Sequence, residues 1–182
     1  MRKAVIVTVA GALAIVVAIG GSEEPVEAPE ANVAPCGGQR RGSAELRDAR
    51  RASQTAGPLS VPRRPLRGMH RASNGQLYTR MAVLVRGHRY VILSVPLDLR
   101  NRVFLYYGHA ADNRGRGPSW RFRVPGYAET EFQPCRELAQ TVWSGGLRVI
   151  GGGPVRLMVT IEGHHASTPL PLGRPGISPP AT

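Results

Sequence analysis

From residue 59 onward, apolar and polar positions alternate with a period of two, the mark of strands with one face turned inward. In residues 77–85 (LYTRMAVLV), Met81, Val83 and Val85 share a face; in residues 89–95 (RYVILSV), Val91, Leu93 and Val95 do. Both runs are rich in β-branched residues, and Arg-Gly-His separates them. That predicts a hairpin with Gly87 in its turn. Residues 102–107 (RVFLYY) predict a further strand that Gly108 ends, and residues 111–119 a loop. Residues 120–124 (WRFRV) place Trp120, Phe122 and Val124 inward and Arg121 and Arg123 outward. Short strands at 129–132 and 146–150 follow. In residues 155–161 Val155, Leu157, Val159 and Ile161 oppose Arg156, Met158 and Thr160. About seven short strands with turn signals between them predict an all-β fold, a small antiparallel β-sandwich over residues 59–163. Helical periodicity is absent from this stretch, and residues 135–142 (CRELAQTV) are the one segment suited to a helical turn.

The flanks have a different texture. Arg2 and Lys3 precede an uncharged apolar run over residues 4–19, and Ala18-Ile19-Gly20 offers a small-x-small cleavage site. Residues 1–21 therefore read as a signal peptide or, uncut, as a transmembrane anchor, since about 18 apolar residues can span a bilayer. The basic end stays inside and the bulk of the chain goes out. The expected location is the cell membrane, with one N-terminal span and the domain outside, or the exterior after cleavage near Gly20. Residues 22–58 hold almost no large apolar side chain and read as a flexible linker or stalk. Residues 164–182 carry five prolines and no strand pattern, and read as a disordered Pro-rich tail.

Charge narrows the partners. The net charge is +12, and residues 40–123 hold eighteen arginines against four acids. A basic surface attracts polyanions. The 23 arginines against a single lysine also fit a GC-rich coding background, in which case the charge is only a solvated surface. The residues expected to meet an anionic partner are Arg63, Arg64, Arg67 and Arg71 in the basic run 62–71, with Arg121 and Arg123. For an exported chain the fitting polyanions are lipid head groups or phosphate-bearing wall polymer. A protein partner stays open, and nucleic acid is not expected.

Catalytic chemistry is thinly signalled. Two cysteines, Cys36 and Cys135, in an exported chain suggest a disulfide. The alternative is an envelope enzyme with Cys135 as nucleophile. A nucleophilic thiol needs a base, however, and His164 and His165 stand far downstream in the Pro-rich segment. Gly151, Gly152 and Gly153 lead into Pro154 and a strand rather than a helix, which predicts a turn rather than a phosphate loop. The Trp-Ser-Gly-Gly stretch at 143–146 predicts another turn, where Trp143 either caps the core edge or offers a carbohydrate-stacking platform. Adjacent histidines in extended chain point apart, and Asp112-Asn113 lacks the later acids of a calcium loop. No metal or cofactor is expected, and a non-catalytic binding module is the favoured class.

The stretch from residue 80 to 163 resembles a group of uncharacterised exported β-domain proteins of high-GC Gram-positive bacteria. The likeness rests on Val83-Leu84-Val85, Val91 to Pro96, Tyr106-Tyr107, Phe132 to Cys135, and Trp143-Ser144-Gly145-Gly146-Leu147. It implies a place and a fold, not a chemistry. Where that pattern has a second cysteine, this chain has Pro154-Val155. If the two cysteines of the pattern pair, Cys135 is here either free or joined to Cys36.

Overall fold

The computed structural model describes residues 31–36, 53–71, 75–108 and 126–177. The expected signal peptide or anchor at residues 1–21 lies outside the described residues, as does the expected strand at 120–124 with Arg121 and Arg123. Among the described residues no helix is long and apolar enough to cross a membrane.

The described chain is all-β. Its strands are β1 (Asn32–Ala34), β2 (Ser53–Ala56), β3 (Leu59–Pro62), β4 (Arg67–Arg71), β5 (Leu77–Arg80), β6 (Val83–Arg86) and β7 (Val91–Ser94). A short 3-10 turn, Leu97–Leu99, leads to β8 (Val103–Tyr106). Then come β9 (Glu129–Phe132), β10 (Gln140–Trp143), β11 (Gly146–Val149), β12 (Val155–Ile161), β13 (Thr168–Gly173) and β14 (Gly176–Ile177). They form three sheets, ordered β1-β9-β7-β12-β13, β10-β6-β3-β2 and β14-β4-β5-β11-β8. The pairings are antiparallel except β1 with β9 and β14 with β4, which are parallel.

The expected strand at 77–85 divides in two. β5 belongs to the third sheet and β6 to the second. Its partner divides at the same level: β11 pairs with β5 and β10 with β6, so Gly146 faces Arg80 and Trp143 faces Val83. Across the break the Met81 N–H donates to Gly145 O at 3.0 Å. One two-stranded ribbon thus bends from the second sheet into the third. The bend needs glycine for space. A Cβ on Gly145 would stand 2.1 Å from Tyr107 Cδ1 and 2.4 Å from Tyr106 O, and one on Gly146 would stand 2.3 Å from Thr79 O. Neither glycine needs a positive φ, so the Gly-Gly pair serves close approach rather than a left-handed turn.

The expected hairpin across Gly87 is not one. β6 pairs with β10 and β3, whereas β7 pairs with β9 and β12 in another sheet. Gly87 does turn the chain, with φ +78. A turn signal between two alternating runs marks reversal but not pairing, and here the pairing partners come from distant sequence.

Both flanks enter the sheets. β1 and β2 fall inside the segment read as a stalk. β13 and β14 fall inside the segment read as a tail, which is therefore structured as far as Ile177. β13 shows how two of the five prolines coexist with a strand. Leu170 and Leu172 point inward and are buried, while Pro169 and Pro171 point outward and are exposed. β13 lies at the end of its sheet's strand order, where a residue without an N–H is tolerated. Residues 135–138 form a tight turn, the Leu138 N–H donating to Cys135 O at 3.1 Å, and β10 follows where helix was conceivable.

A single large core takes side chains from all three sheets, among them Leu59, Met81, Leu93, Leu147 and Leu157. β7 and β12 alternate as the pattern predicted, with Val91, Leu93, Val155, Leu157 and Val159 buried. β8 is buried on both faces: Val103 and Leu105 join the large core, and Phe104 and Tyr106 form a second cluster with Ala128.

Candidate functional site

The cysteines lie beside the first sheet. β1 pairs with β9 from Asn32–Thr130 to Ala34–Phe132, which delivers Cys36 to the turn after β9. Cys36 and Cys135 stand at disulfide bonding distance, Sγ–Sγ 1.96 Å and Cα–Cα 4.9 Å. Asn32 Nδ2 donates to Tyr107 O at 2.8 Å, and Trp143 Nε1 donates to Pro35 O at 3.2 Å, so the short strand is tied at both ends. Trp143 is buried, with its ring 5.1 Å from that of Phe132. It is a core anchor rather than a carbohydrate platform.

An open groove of about 640 Å³ runs past the pair, lined by His88, Tyr90, Gln133 and Glu137 among others. Cys135 is only 2% exposed, and with its sulfur at bonding distance from Cys36 it presents no thiolate. Cys36, Cys135 and Glu137 bring ligand atoms within 4.8 Å of one another. Two sulfurs joined to each other are not thiolate ligands. His164 stands 3.1 Å from Arg89 Nη1, exposed.

The triple-glycine turn has the polarity opposite to a phosphate cradle. Gly151 and Gly153 take φ +74 and +105. The Arg102 guanidinium donates to the carbonyls of Gly152 and Pro154, the latter at 2.7 Å. Oxygen atoms of this loop therefore face a cation.

The predicted arginines within the described residues lie on β4 of the third sheet and in the loop that leads into it. Arg63, Arg64 and Arg67 share one tight loop, closed by the Arg67 N–H donating to Arg64 O at 3.0 Å. Arg71 ends β4, and all four are exposed. Arg174 joins them from the supposed tail. The chain beyond it enters β14, whose Gly176 N–H donates to Leu66 O at 2.8 Å. Sequence reasoning missed Arg174 because only the pairing of β14 with β4 brings it here. Among the described residues no carboxylate is within ion-pair distance of these five arginines. The described acids are Asp98, Glu129, Glu131, Glu137 and Glu162, and none lies on a strand of the third sheet. Asp98 is engaged with Arg156 of β12 at 3.0 Å.

The face of this sheet turned away from the large core carries a transverse row. His70 pairs with Tyr78, Tyr78 with Arg148, and Arg148 with Phe104, across β4, β5, β11 and β8. The His70 and Tyr78 rings stack at 5.5 Å. The Arg148 guanidinium lies 4.4 Å from the Phe104 centroid and 5.7 Å from that of Tyr106, and its Nη1 donates to Gln76 Oε1 at 3.3 Å. Burial raises the Tyr106 phenol above its ordinary range, partly offset by the Arg148 charge and a hydrogen bond with the Gly126 backbone. Nothing in the local pattern of β4, β5, β11 or β8 announces this row; it exists only through register.

Set against family models, curated proteins and solved structures, the chain matches none.

Proposed function

We propose that the protein is a non-catalytic, extracytoplasmic binding module that holds an anionic partner against its third sheet. The observation that carries this reading is charge segregation. Arg63, Arg64, Arg67, Arg71 and Arg174 converge on a sheet whose strands hold no carboxylate. Exposed cations gathered about β4, with no described carboxylate in ion-pair range, raise the local concentration of polyanions, and the attraction weakens as salt rises.

Arg64 adds a second support. Its φ is +58, the one described non-glycine residue in left-handed backbone. Holding a side chain there costs about 1–2 kcal/mol, which glycine would avoid. An arginine kept at such a position fits a use for its charge.

The placement outside the cytoplasm rests on the apolar run at residues 4–19 behind Arg2 and Lys3, and on the cysteine pair, which persists in oxidising surroundings. The resemblance to exported β-domain proteins points the same way. Within this reading the first sheet and the Cys36–Cys135 bond are the frame, and the exposed arginines of β4 and of the loops beside it are the contact surface.

The test is retention of the full-length chain on an anionic matrix across a salt series. The reading expects strong retention at low salt, elution on raising salt, and earlier elution of the R63A/R64A/R67A variant. Retention indifferent to salt, or equal retention of that variant, removes it.

A further inference from the structure

We propose that the groove beside the Cys36–Cys135 bond is a thiol–disulfide exchange site. Cys36 is the sulfur attacked, the fitting partner is a dithiol protein with a cationic surface, and opening of the bond loosens β1. Three observations carry this.

The first is access. The bond does not lie in the core; it forms part of the groove wall, together with Tyr90, Gln133 and Glu137. Its two halves differ, since Cys36 is half-buried whereas Cys135 is only 2% exposed. Access decides which sulfur of a disulfide an incoming thiolate reaches, and here that is Cys36. The partner's thiolate bonds to Cys36 Sγ, the Sγ–Sγ bond breaks, and its electron pair leaves on Cys135 Sγ, which takes a proton from water. The partner's second thiolate then attacks its own sulfur in the mixed disulfide and releases Cys36 as a thiolate, protonated in turn. The chain gains two electrons, and the partner's dithiol is oxidised to a disulfide.

The second is charge. The chain carries +12 in all, yet the groove wall sets Glu137 and Glu162 against Arg136. Glu137 Oε1 stands 3.8 Å from Cys36 Sγ. A carboxylate there repels an anionic thiol compound and favours one that brings a cation. Selection at the groove therefore runs opposite to the charge of the whole chain.

The third is what the bond holds. β1 makes three ladder pairs, all with β9, and ends its sheet's strand order. Ala34 is its one buried apolar side chain, and Val33 is exposed. A strand that buries so little apolar surface depends on the crosslink for its hold. Opening the bond thus turns a surface reaction into a change at the edge of the first sheet, where β9 loses a neighbour.

The experiment treats the full-length oxidised chain with two monothiols at about 0.15 M salt, where only close charges still act. They are cationic cysteamine and anionic mercaptoethanesulfonate, each rate taken relative to that of the same thiol on a small neutral disulfide. The reaction is stopped early by acid, free thiols are alkylated, and the peptides are mapped by mass. The adduct should fall on Cys36 and the alkyl group on Cys135, at a rate unchanged by urea below the unfolding transition. Cysteamine should be favoured about threefold, the scale of one exposed charge pair. Glu137→Gln, at an exposed position, should remove that preference and keep the adduct on Cys36. In the fully reduced chain, amide exchange should quicken at residues 32–34 while β7 and β12 stay protected. An adduct chiefly on Cys135, or a rate that climbs with urea, overturns the inference. So does a cysteamine preference that is absent or unmoved by Glu137→Gln, and so does a β1 as protected after reduction as before it.

Discussion

The first and third sheets each have five strands, yet they differ in almost every other respect. The first carries Glu129 and Glu131 on β9, with Glu162 just past β12, and it holds the cysteine pair through β1. The third carries Arg67, Arg71, Arg80 and Arg148 and no acid. One sheet is built to be held together, the other to be displayed. The difference separates two quantities that a basic composition alone confounds. Changes at the first sheet and at the seam between the second and third should alter stability and spare binding; changes at the exposed arginines about β4 should do the reverse.

The largest expected effect lies at the frame. Cys36→Ser with Cys135→Ser opens a crosslink spanning 99 residues, worth about 4–5 kcal/mol in the chain-entropy account. Denaturant unfolding of the double variant checks this, and reduction of the wild-type chain should reproduce it. A shift under about 1 kcal/mol would show that β1 pairing, not the bond, holds the segment.

The seam between sheets comes next. Gly145→Ala forces a methyl against Tyr107 and the Tyr106 carbonyl, and should lower stability by about 2–3 kcal/mol. A melting curve unchanged by this substitution would mean that the ribbon does not bend where described.

High pH probes the same region. Burial raises Tyr107 well above the usual phenol range, and Tyr106 is raised as well. Below pH 10 both phenols keep their protons whether the chain is folded or not, so this stability is fully present. Above 10 the unfolded chain sheds protons that the folded chain retains, and stability falls as pH climbs toward the folded values. Tyr107→Phe should flatten that alkaline decline. At neutral pH it should cost about 1–2 kcal/mol, because the Tyr107 hydroxyl donates to Met81 O at 2.8 Å. Unfolding free energies at pH 7 and 11 read both effects.

On the third sheet the sign reverses. Arg64→Gly relieves left-handed backbone and should raise stability by about 1 kcal/mol while weakening polyanion retention. A variant both more stable and equally retentive would sever the link between strain and use. Smallest of all, Arg63→Ala with Arg67→Ala should move stability by no more than about 0.5 kcal/mol, as surface substitutions do.

How much of this was legible in the sequence follows from how local each signal is. The alternation of Val91, Leu93 and Val95, and of Val155, Leu157 and Val159, is set by neighbours two residues away, so β7 and β12 were readable. The glycine turn at 151–153 was readable for the same reason. Pairing is not local. The Gly87 turn joins strands of different sheets, and the break at Met81 becomes visible only when Gly145 and Gly146 are seen facing it. Low hydrophobicity hid β1 and β2, and proline hid β13. Each survives because Ala34, Ala56, Leu170 and Leu172 bury a few apolar side chains in a core that other strands supply. At the site, the run 62–71 was legible as charge. Arg174 and the His70–Tyr78–Arg148–Phe104 row depend on registers that no short motif encodes.

The central claim is that the acid-free third sheet, and not the groove beside Cys36 and Cys135, receives the anionic partner. The most direct test is a residue-resolved titration of backbone amide shifts with soluble inorganic polyphosphate. The account predicts saturable shifts clustered at Arg63, Arg64, Arg67, Arg71 and Arg174, with the first sheet silent. Shifts centred on Tyr90, Gln133 and Glu137, or none that saturate, would contradict it.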